Sequence, residues 1–363
     1  MSVNDRLLDR AINQEIDLRR YQESVVRRLI GRLNQGDAKL IAQLTEVLMS
    51  IDRERFTVEA LERRLAEVRR TNRAAFGPVF SALEREMREL AALEAAAQEH
   101  ALRQTLPAAV RLAFPIGAVG AEQAAAAALS RPFQGRLLSG WAANVEASRM
   151  TAIRNAIRQG YVTGQTTADI IRTIRGTKAN GFADGILNRG RREVAAIVQT
   201  ALSHTAQTAR MLFTDANADL IKAVKWVATL DTRTSPMCRI RDGLLYEPKT
   251  HKPIGHKIPW GDGPGRLHFN CRSVYTNITK SWRELGLDID DLPPGTRASM
   301  DGQVPADLTY RDWIKRQPPE RQDEILGPTR AALMRSGRVD FPEFYDAKGK
   351  LLTIEELRQK LGD

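Results

Sequence analysis

Cysteine is nearly absent from this sequence, which contains only Cys238 and Cys271 among its 363 residues. Two cysteines exclude the multiply cross-linked scaffolds of small secreted proteins. Aromatic residues are also scarce, at 6% of the chain, although hydrophobic residues as a whole reach 42%. The chain therefore has enough apolar side chains for real cores, and its many Ala and Leu residues favour helices. We predict a mainly α fold.

The sequence also lacks a long apolar segment. Its longest uncharged apolar stretch, residues 112–121, is too short to span a bilayer and contains Pro115 and two glycines. The first ten residues, MSVNDRLLDR, place charges where the apolar part of a secretory signal would lie. We therefore expect a protein made in the cytoplasm, without a membrane partner. Its length predicts two or three structural units.

Charge is unevenly distributed along the chain. Residues 131–283 hold 24 Lys/Arg against 10 Asp/Glu, whereas residues 1–107 are nearly balanced, with 18 against 17. Residues 284–363 are acidic, with 12 Lys/Arg against 16 Asp/Glu. A basic region between neutral and acidic ones predicts a polyanionic partner, most often nucleic acid. The alternative is a generally basic protein with no such partner.

Composition and periodicity divide the chain into four parts. Residues 1–107 are predicted to form a helical assembly or interaction arm, and residues 108–130 an Ala/Gly-rich hinge with a short Ala helix. Residues 131–283 form a basic domain. Residues 284–363 combine an acidic, Pro-rich linker at 290–295 with a small helical C-terminal region.

The arm shows the periodicity of long amphipathic helices, because apolar residues recur every three or four positions. The first run is expected to end at Gly36. After Gly77 and Pro78, a last run forms a short coiled-coil-like seam that consists of Phe80, Leu83, Met87 and Leu90. This seam packs either on partner helices, such as those of a portal or scaffold protein, or inside a self-contained bundle.

Several helices of the middle domain carry their own start and stop signals. Thr166 and Asp169 are spaced as a capping box, and Gly176 is a candidate stop. Residues 189–216 form a further strong helix. On this helix lie four candidate DNA contacts: Arg189, Arg191, Arg192 and Arg210.

A small β-hairpin is predicted next. Residues 224–230 alternate and are rich in β-formers, and residues 244–246 are expected to pair with them after a turn at Asp242-Gly243. Beyond the linker, residues 310–317, 319–327 and 329–337 predict short helices. Thr353 and Glu356 are spaced as a capping box for a last helix.

The residues with the most distinctive chemistry are concentrated between Trp226 and Ser273. This loop holds both cysteines and three of the five histidines, namely Cys238, His251, His256, His268 and Cys271. Thiolates and imidazoles are preferred ligands of Zn²⁺, and four of these five would complete a tetrahedron. The candidate metal set is Cys238, His256, His268 and Cys271. The spacing of His268 and Cys271 favours it, whereas the isolation of Cys238 does not.

Two other structural interpretations of the loop remain open. A disulfide between Cys238 and Cys271 would close a loop of roughly 30 residues and stabilise it by about 3–4 kcal/mol in the chain-entropy model. A reducing cytoplasm disfavours such a bond. Alternatively, the cysteines are ordinary buried residues and His268 satisfies backbone groups.

A catalytic role is the more specific alternative for the same loop. A cysteine nucleophile needs a base and a low thiol pKa, which Arg239 and Arg241 beside Cys238 would favour. Metal-dependent cleavage of nucleic acid would need carboxylates such as Asp231, Asp242 and Asp262, of which two are explained by Asp-Gly turns. No phosphate-binding glycine loop or Ser/His/Asp signature is present in the sequence. We therefore expect no enzyme.

These motifs together resemble a known family. The pattern W-x-A-T-x-D-x-R-T-S-x-x-C-x-x-x-D-G at 226–243 and H-F-N-C-R-S at 268–273 are similar to the phage Mu protein F-like head morphogenesis family. The resemblance covers about residues 130–360. Besides the two cysteines and His268, the matching positions are Asp231, Arg233, Thr234, Asp242, Gly243 and Arg272, which it implies are a structural core. Ser273 departs from the pattern, since many relatives carry a third cysteine there.

The resemblance implies a minor capsid protein of a tailed bacteriophage, present in the virion near the portal vertex. Its role would be structural, in head assembly and DNA packaging. Its expected partners are portal and capsid or scaffold proteins, nonspecifically bound double-stranded DNA, and a second copy through the N-terminal helices. Zn²⁺ is the one expected cofactor. The alternatives are a nuclease-like DNA-processing enzyme that uses the Cys/His loop and a free DNA-binding accessory protein.

Overall fold

A computed structural model of the chain describes residues 2–51, 57–286 and 296–362. Helices dominate these residues, which confirms the prediction of a mainly α protein. The predicted linker at 290–295 lies outside the described residues. Within them, no helix is both long and apolar enough to cross a membrane.

The elements follow one another in a simple order. The α-helices of the described residues are α1 Val3–Met49, α2 Val58–Thr105, α3 Ala108–Ala113, α4 Ala121–Ser130, α5 Leu138–Val162, α6 Thr167–Arg175, α7 Ile186–Ala216, α8 Pro236–Arg239, α9 Tyr310–Lys315, α10 Pro319–Leu326, α11 Pro328–Arg335 and α12 Ile354–Leu361. The strands are β1 Ile221–Val227, β2 Leu245–Tyr246, β3 Pro253–Ile254, β4 Val274–Thr279, β5 Thr296–Ser299 and β6 Gly302–Pro305. A short 3-10 helix spans Phe341–Phe344.

Contacts between Cα atoms group the chain into two compact units. The first unit comprises Met1–Arg19, Ala91–Ala124 and Ala206–Asp363. The second comprises Arg20–Leu90 and Ala125–Thr205. The four-part division by composition stays a prediction, because compact units defined by contact need not follow composition.

The first unit contains the described strands. Its four-stranded antiparallel sheet has the order β3-β2-β1-β4, and β5 pairs with β6 in a separate hairpin. The predicted hairpin is confirmed, since Val224 of β1 faces Tyr246 of β2. The long pairing of β1 with β4 was not predicted, because nearly every residue of β4 is buried and the strand shows no period-two alternation.

The C-terminal residues build an aromatic core in the first unit. Tyr310 and Trp313 of α9 pack in an edge-to-face arrangement, and Phe341 and Phe344 are fully buried with them. Leu230, three residues after β1, belongs to the same core. The predicted short helices correspond to α9, α10 and α11, and the capping box at Thr353 and Glu356 forms as predicted. The C-terminal region therefore packs directly on the segment that carries the sequence motif.

The second unit has an aliphatic core contributed by α1, α2, α5, α6 and α7. Its fully buried members include Leu40, Leu44, Leu65, Ile153 and Ile170. The predicted capping box at Thr166 and Asp169 begins α6, and Gly176 ends it with φ +96°. These local signals were readable because each involves residues only a few positions apart.

Helix α1 does not end at Gly36, so that prediction is wrong. The helix continues to Met49 because Gly36 serves as a close contact to α2. An added Cβ at Gly36 would lie only 2.5 Å from the Cβ of Ala75. Helix α2 likewise continues through Pro78, which is exposed on the helix surface. A carbonyl left without its partner there can be hydrated.

The predicted apolar seam is packed inside the second unit. Phe80, Leu83, Met87 and Leu90 are all buried. Beside them, α1 and α2 are joined by Glu86, which accepts hydrogen bonds from Tyr21 at 2.5 Å and from Arg28 at 2.6 Å. The structure therefore favours the second alternative, in which the seam packs inside a self-contained bundle, and docking of the arm on a partner stays a prediction. Self-association through other faces of the N-terminal helices stays a prediction.

The two glycines of α1 give a matched test of this close contact. We expect Gly36→Ala to lower the free energy of unfolding by about 1–3 kcal/mol, because the new methyl group overpacks against Ala75. Gly31→Ala, in the same helix, meets no atom within 4 Å and should be neutral or stabilising by up to about 1 kcal/mol. Urea denaturation followed by circular dichroism measures both. Equal effects of the two substitutions would contradict the close contact.

Candidate functional site

Asp231 organises the turn that follows β1. Its Oδ1 accepts hydrogen bonds from the backbone N–H groups of Arg233 and Thr234, at 3.0 and 2.9 Å, and from the Thr234 hydroxyl at 2.9 Å. Arg272 donates to both carboxylate oxygens, at 2.6 and 2.9 Å. Partial burial raises the pKa of Asp231, but the bonds from Arg272 and Thr234 outweigh it and leave the pKa below its ordinary value. The turn therefore forms around a carboxylate.

Asp242 is the second organising carboxylate, and it is buried. It accepts hydrogen bonds from the backbone N–H groups of Ala228 and Tyr310, both at 2.7 Å. The guanidinium of Arg297 approaches its two oxygens at 3.1 and 3.2 Å. This bidentate pair joins β5 and the start of α9 to the end of β1. Arg297 was not predicted, because no short spacing connects it with the motif.

Gly243 allows the chain to turn tightly directly after Asp242. Its φ is +78°, and an added Cβ would lie 2.9 Å from the Cγ2 of Thr309. Its N–H donates to the Trp226 carbonyl at 2.9 Å, which completes the turn predicted at Asp242-Gly243. A side chain at this position would be strained and would also collide with Thr309, the residue that caps α9.

Arg239 and Arg241 are buried and bind backbone carbonyls. Arg239 donates to Thr234 at 2.6 Å and to Ile325 at 2.7 Å. Arg241 donates to Met237 at 2.7 Å and to Pro259 at 3.0 Å. Both guanidinium groups thus connect the motif with other loops and helices. Sequence reasoning considered them only as neighbours of a reactive cysteine and missed this role.

The structure brings together Cys238, His268 and Cys271. Cys238 lies on α8, which is capped by the Ser235 hydroxyl, and Cys271 lies just before β4. The two Sγ atoms are 3.6 Å apart, and the Cys238 Sγ is 3.4 Å from the His268 Nε2. Both cysteines are free, so the predicted alternative of a disulfide does not describe this structure. Cys271 N–H donates to the His268 carbonyl at 3.2 Å, which folds the intervening turn.

Contacts within this group shift the pKa values of Cys271 and His268. The pKa of Cys271 lies well below its ordinary value, because it accepts a hydrogen bond from Cys238 and faces His268. The pKa of His268 is raised by the same contact with Cys271, against the effect of burial. His268 Nδ1 donates to the Phe269 carbonyl at 2.8 Å. The Nε2 edge of the ring therefore faces the Cys238 sulfur at 3.4 Å and the Ser235 hydroxyl at 2.8 Å.

His256 and His251 lie outside this group. His256 Nε2 donates to the Leu245 carbonyl at 2.8 Å, and its Nδ1 accepts from the Ile258 N–H at 3.2 Å. Both of its nitrogens are therefore used. His251 stacks on Trp260, with ring centroids 4.8 Å apart. Of the four predicted metal ligands, the structure assembles three and leaves His256 in the hairpin.

Helix α1 reaches the same centre. Arg19 donates to the Cys271 carbonyl and pairs with Glu15 at 2.9 Å. Burial raises the pKa of Glu15 to about 7, although Arg19 and Arg210 act in the opposite direction. Arg210 is itself buried and donates to Glu94 at 2.6 Å. The prediction of Arg210 as a DNA contact is therefore wrong, because its guanidinium group is buried and paired with Glu94 inside the first unit.

The other candidate DNA contacts lie on the second unit. Arg189 and Arg192 are exposed. Arg189 makes a long i,i+4 contact of 3.3 Å with Glu193. Arg191 is partly buried and pairs with Asp37 at 2.8 Å, where Arg149 also donates at 2.6 Å. Arg189 and Arg192 are therefore the two predicted residues with guanidinium groups available at the surface.

The family comparison covers this site. Residues 151–276 match the family model described as Phage Mu protein F like protein. The predicted resemblance is confirmed over this segment. The matched residues begin in α5, include Asp231, Asp242 and the three Cys/His residues, and end inside β4. No curated protein and no solved structure matches the chain. For residues 130–150 and 277–360 the resemblance stays a prediction.

The buried pair of Asp242 and Arg297 predicts a large effect of substitution. Asp242→Ala should lower the free energy of unfolding by about 3–5 kcal/mol, because it leaves the Arg297 charge buried without its partner. Asp262→Ala, which removes an exposed carboxylate from the same loop, should change it by at most about 0.5 kcal/mol. Denaturant titration of both variants measures the difference. A mild effect of Asp242→Ala would show that the pair does not hold the site.

Proposed function

We propose that this chain is a minor capsid protein that acts in phage head morphogenesis, close to the portal vertex and during DNA packaging. The match of residues 151–276 to the Mu F-like family is the observation that carries the proposal. The conspicuous residues of that segment hold loops and strands together, as a structural component requires. Portal and capsid or scaffold proteins are the partners that this role implies.

The state of the cysteines favours a structural role over the nuclease-like alternative. The side chains of Cys238 and Cys271 are buried, at 2% and 0% exposure. A nucleophile has to reach its substrate, whereas a structural residue does not. Asp231 and Asp242 are likewise occupied by arginine and backbone donors, so neither offers a free carboxylate for catalysis.

Nonspecific DNA contact is supported by the surface of the second unit. Between residues 125 and 205, eight cations are exposed, namely Arg131, Arg136, Arg158, Arg172, Arg175, Lys178, Arg189 and Arg192. Asp184 is the one carboxylate in this stretch that is exposed to the same degree. Exposed arginines on helices suit contacts to the phosphate backbone without reading of the base sequence.

The location in the particle is tested by mass spectrometry of purified virions and of heads emptied of DNA. We expect a low and fixed number of copies relative to the major capsid protein, retained after the DNA is released. Cross-linking of intact particles should then connect the chain to the portal. Absence from both kinds of particle would contradict the proposal, and retention without any portal cross-link would contradict its location.

DNA contact is tested with the full chain. The logarithm of the binding constant should fall linearly with the logarithm of salt concentration, with about 0.9 in slope for each phosphate contacted. Arg189→Ala with Arg192→Ala should reduce this slope by roughly 1–2. The control is Arg63→Ala with Arg64→Ala, two exposed arginines of the charge-balanced N-terminal region. Equal losses in the two double variants would contradict a DNA-binding face on α7.

A further inference from the structure

The separations among Cys238, His268 and Cys271 are those of ligands around one tetrahedral ion. With Zn–S bonds of about 2.3 Å and Zn–N bonds of about 2.0 Å, two thiolates lie about 3.8 Å apart and a thiolate lies about 3.5 Å from an imidazole nitrogen. The corresponding distances here are 3.6 Å and 3.4 Å. All three candidate ligand atoms lie within 4.8 Å of one another. A disulfide would place the sulfurs about 2.05 Å apart.

The orientation of His268 supports the same interpretation. A histidine that binds metal through one ring nitrogen commonly donates its other N–H to a carbonyl or carboxylate, which fixes its tautomer. His268 does this, since its Nδ1 donates to the Phe269 carbonyl at 2.8 Å. Nε2 thereby keeps its lone pair, which faces the Cys238 Sγ at 3.4 Å and accepts a hydrogen bond from the Ser235 hydroxyl at 2.8 Å. A bound ion would replace that hydroxyl as the partner of Nε2. Asn270, with φ +58°, makes the tight turn that returns the chain to Cys271.

Ser273, immediately before β4, also lies next to this group. Its side chain is buried, at 1% exposure, and its Oγ makes no hydrogen bond of normal geometry within the described residues. The hydroxyl nevertheless lies beside Cys238. A buried hydroxyl without a hydrogen bond is costly, and a bound ion or its water would satisfy it.

We propose that Cys238, His268 and Cys271 bind one Zn²⁺ ion, and that the Ser273 hydroxyl faces its fourth coordination position. His256 is excluded from the site, because its ring nitrogens bond backbone groups of the hairpin and do not lie with the three candidate ligand atoms that are within 4.8 Å of one another. The ion would tie α8 to the residues that precede β4, across 33 positions of sequence. It would do so without a disulfide, since both cysteines are free.

The first experiment measures metal in the full chain, purified under reducing conditions without chelator. We expect about one zinc per chain by mass spectrometry, and loss of most of it in His268→Ala. The matched control His256→Ala should retain it. A full chain without zinc that also fails to bind added Zn²⁺, or a loss in His256→Ala as large as in His268→Ala, would overturn the proposal.

Because a ligand variant can unfold, a second measurement uses the intact site. Replacement of zinc by Co²⁺ should give a thiolate-to-cobalt charge-transfer band and the strong visible absorption of tetrahedral cobalt. Ser273→Cys supplies a third thiolate in a site of similar size. It should strengthen the charge-transfer band and lower the dissociation constant for Co²⁺ by roughly tenfold, as a closed site with four protein ligands predicts. Weak, octahedral cobalt absorption would overturn the metal site, and an unchanged Ser273→Cys spectrum would overturn the place of Ser273.

Discussion

The first unit depends on one buried charge, the carboxylate of Asp242. A buried carboxylate is tolerated only when it is paired and hydrogen-bonded. Asp242 meets this condition with donors from three separate segments: Ala228 after β1, Arg297 on β5 and Tyr310 at the start of α9. The carboxylate therefore selects one arrangement of these segments, since any other would leave a charge unsatisfied.

The residues that hold Asp242 in place lie partly beyond the segment matched by the family model. The match ends at residue 276, but Arg297 and Tyr310, which complete the shell of Asp242, follow it in the chain. Arg239 and Arg241 also donate to carbonyls of the C-terminal region, at Ile325 and Lys348. The C-terminal helices are thus part of what holds the motif, and not a separate appendage to it.

The features that could be predicted from sequence are those decided locally. The capping boxes at Thr166 and Thr353 and the turn at Gly243 involve residues a few positions apart, so spacing alone reveals them. Partners brought together by tertiary packing were not visible. Gly36 was interpreted as a helix end, although its role is to let Ala75 of α2 approach closely, because it has no side chain. Composition likewise placed His256 among the metal ligands, because a sequence does not show the direction in which an imidazole ring faces.

The same reasoning changes how the excess charge of residues 131–283 should be interpreted. Four of its cations, Arg149, Arg210, Arg239 and Arg241, are buried. Arg149 and Arg210 are neutralised by Asp37 and Glu94, and the other two are held by carbonyls. A phosphate can contact none of these guanidinium groups without unfolding of their surroundings. The salt dependence of DNA binding should therefore count the exposed arginines, and net charge overstates the number of phosphates that this protein can contact.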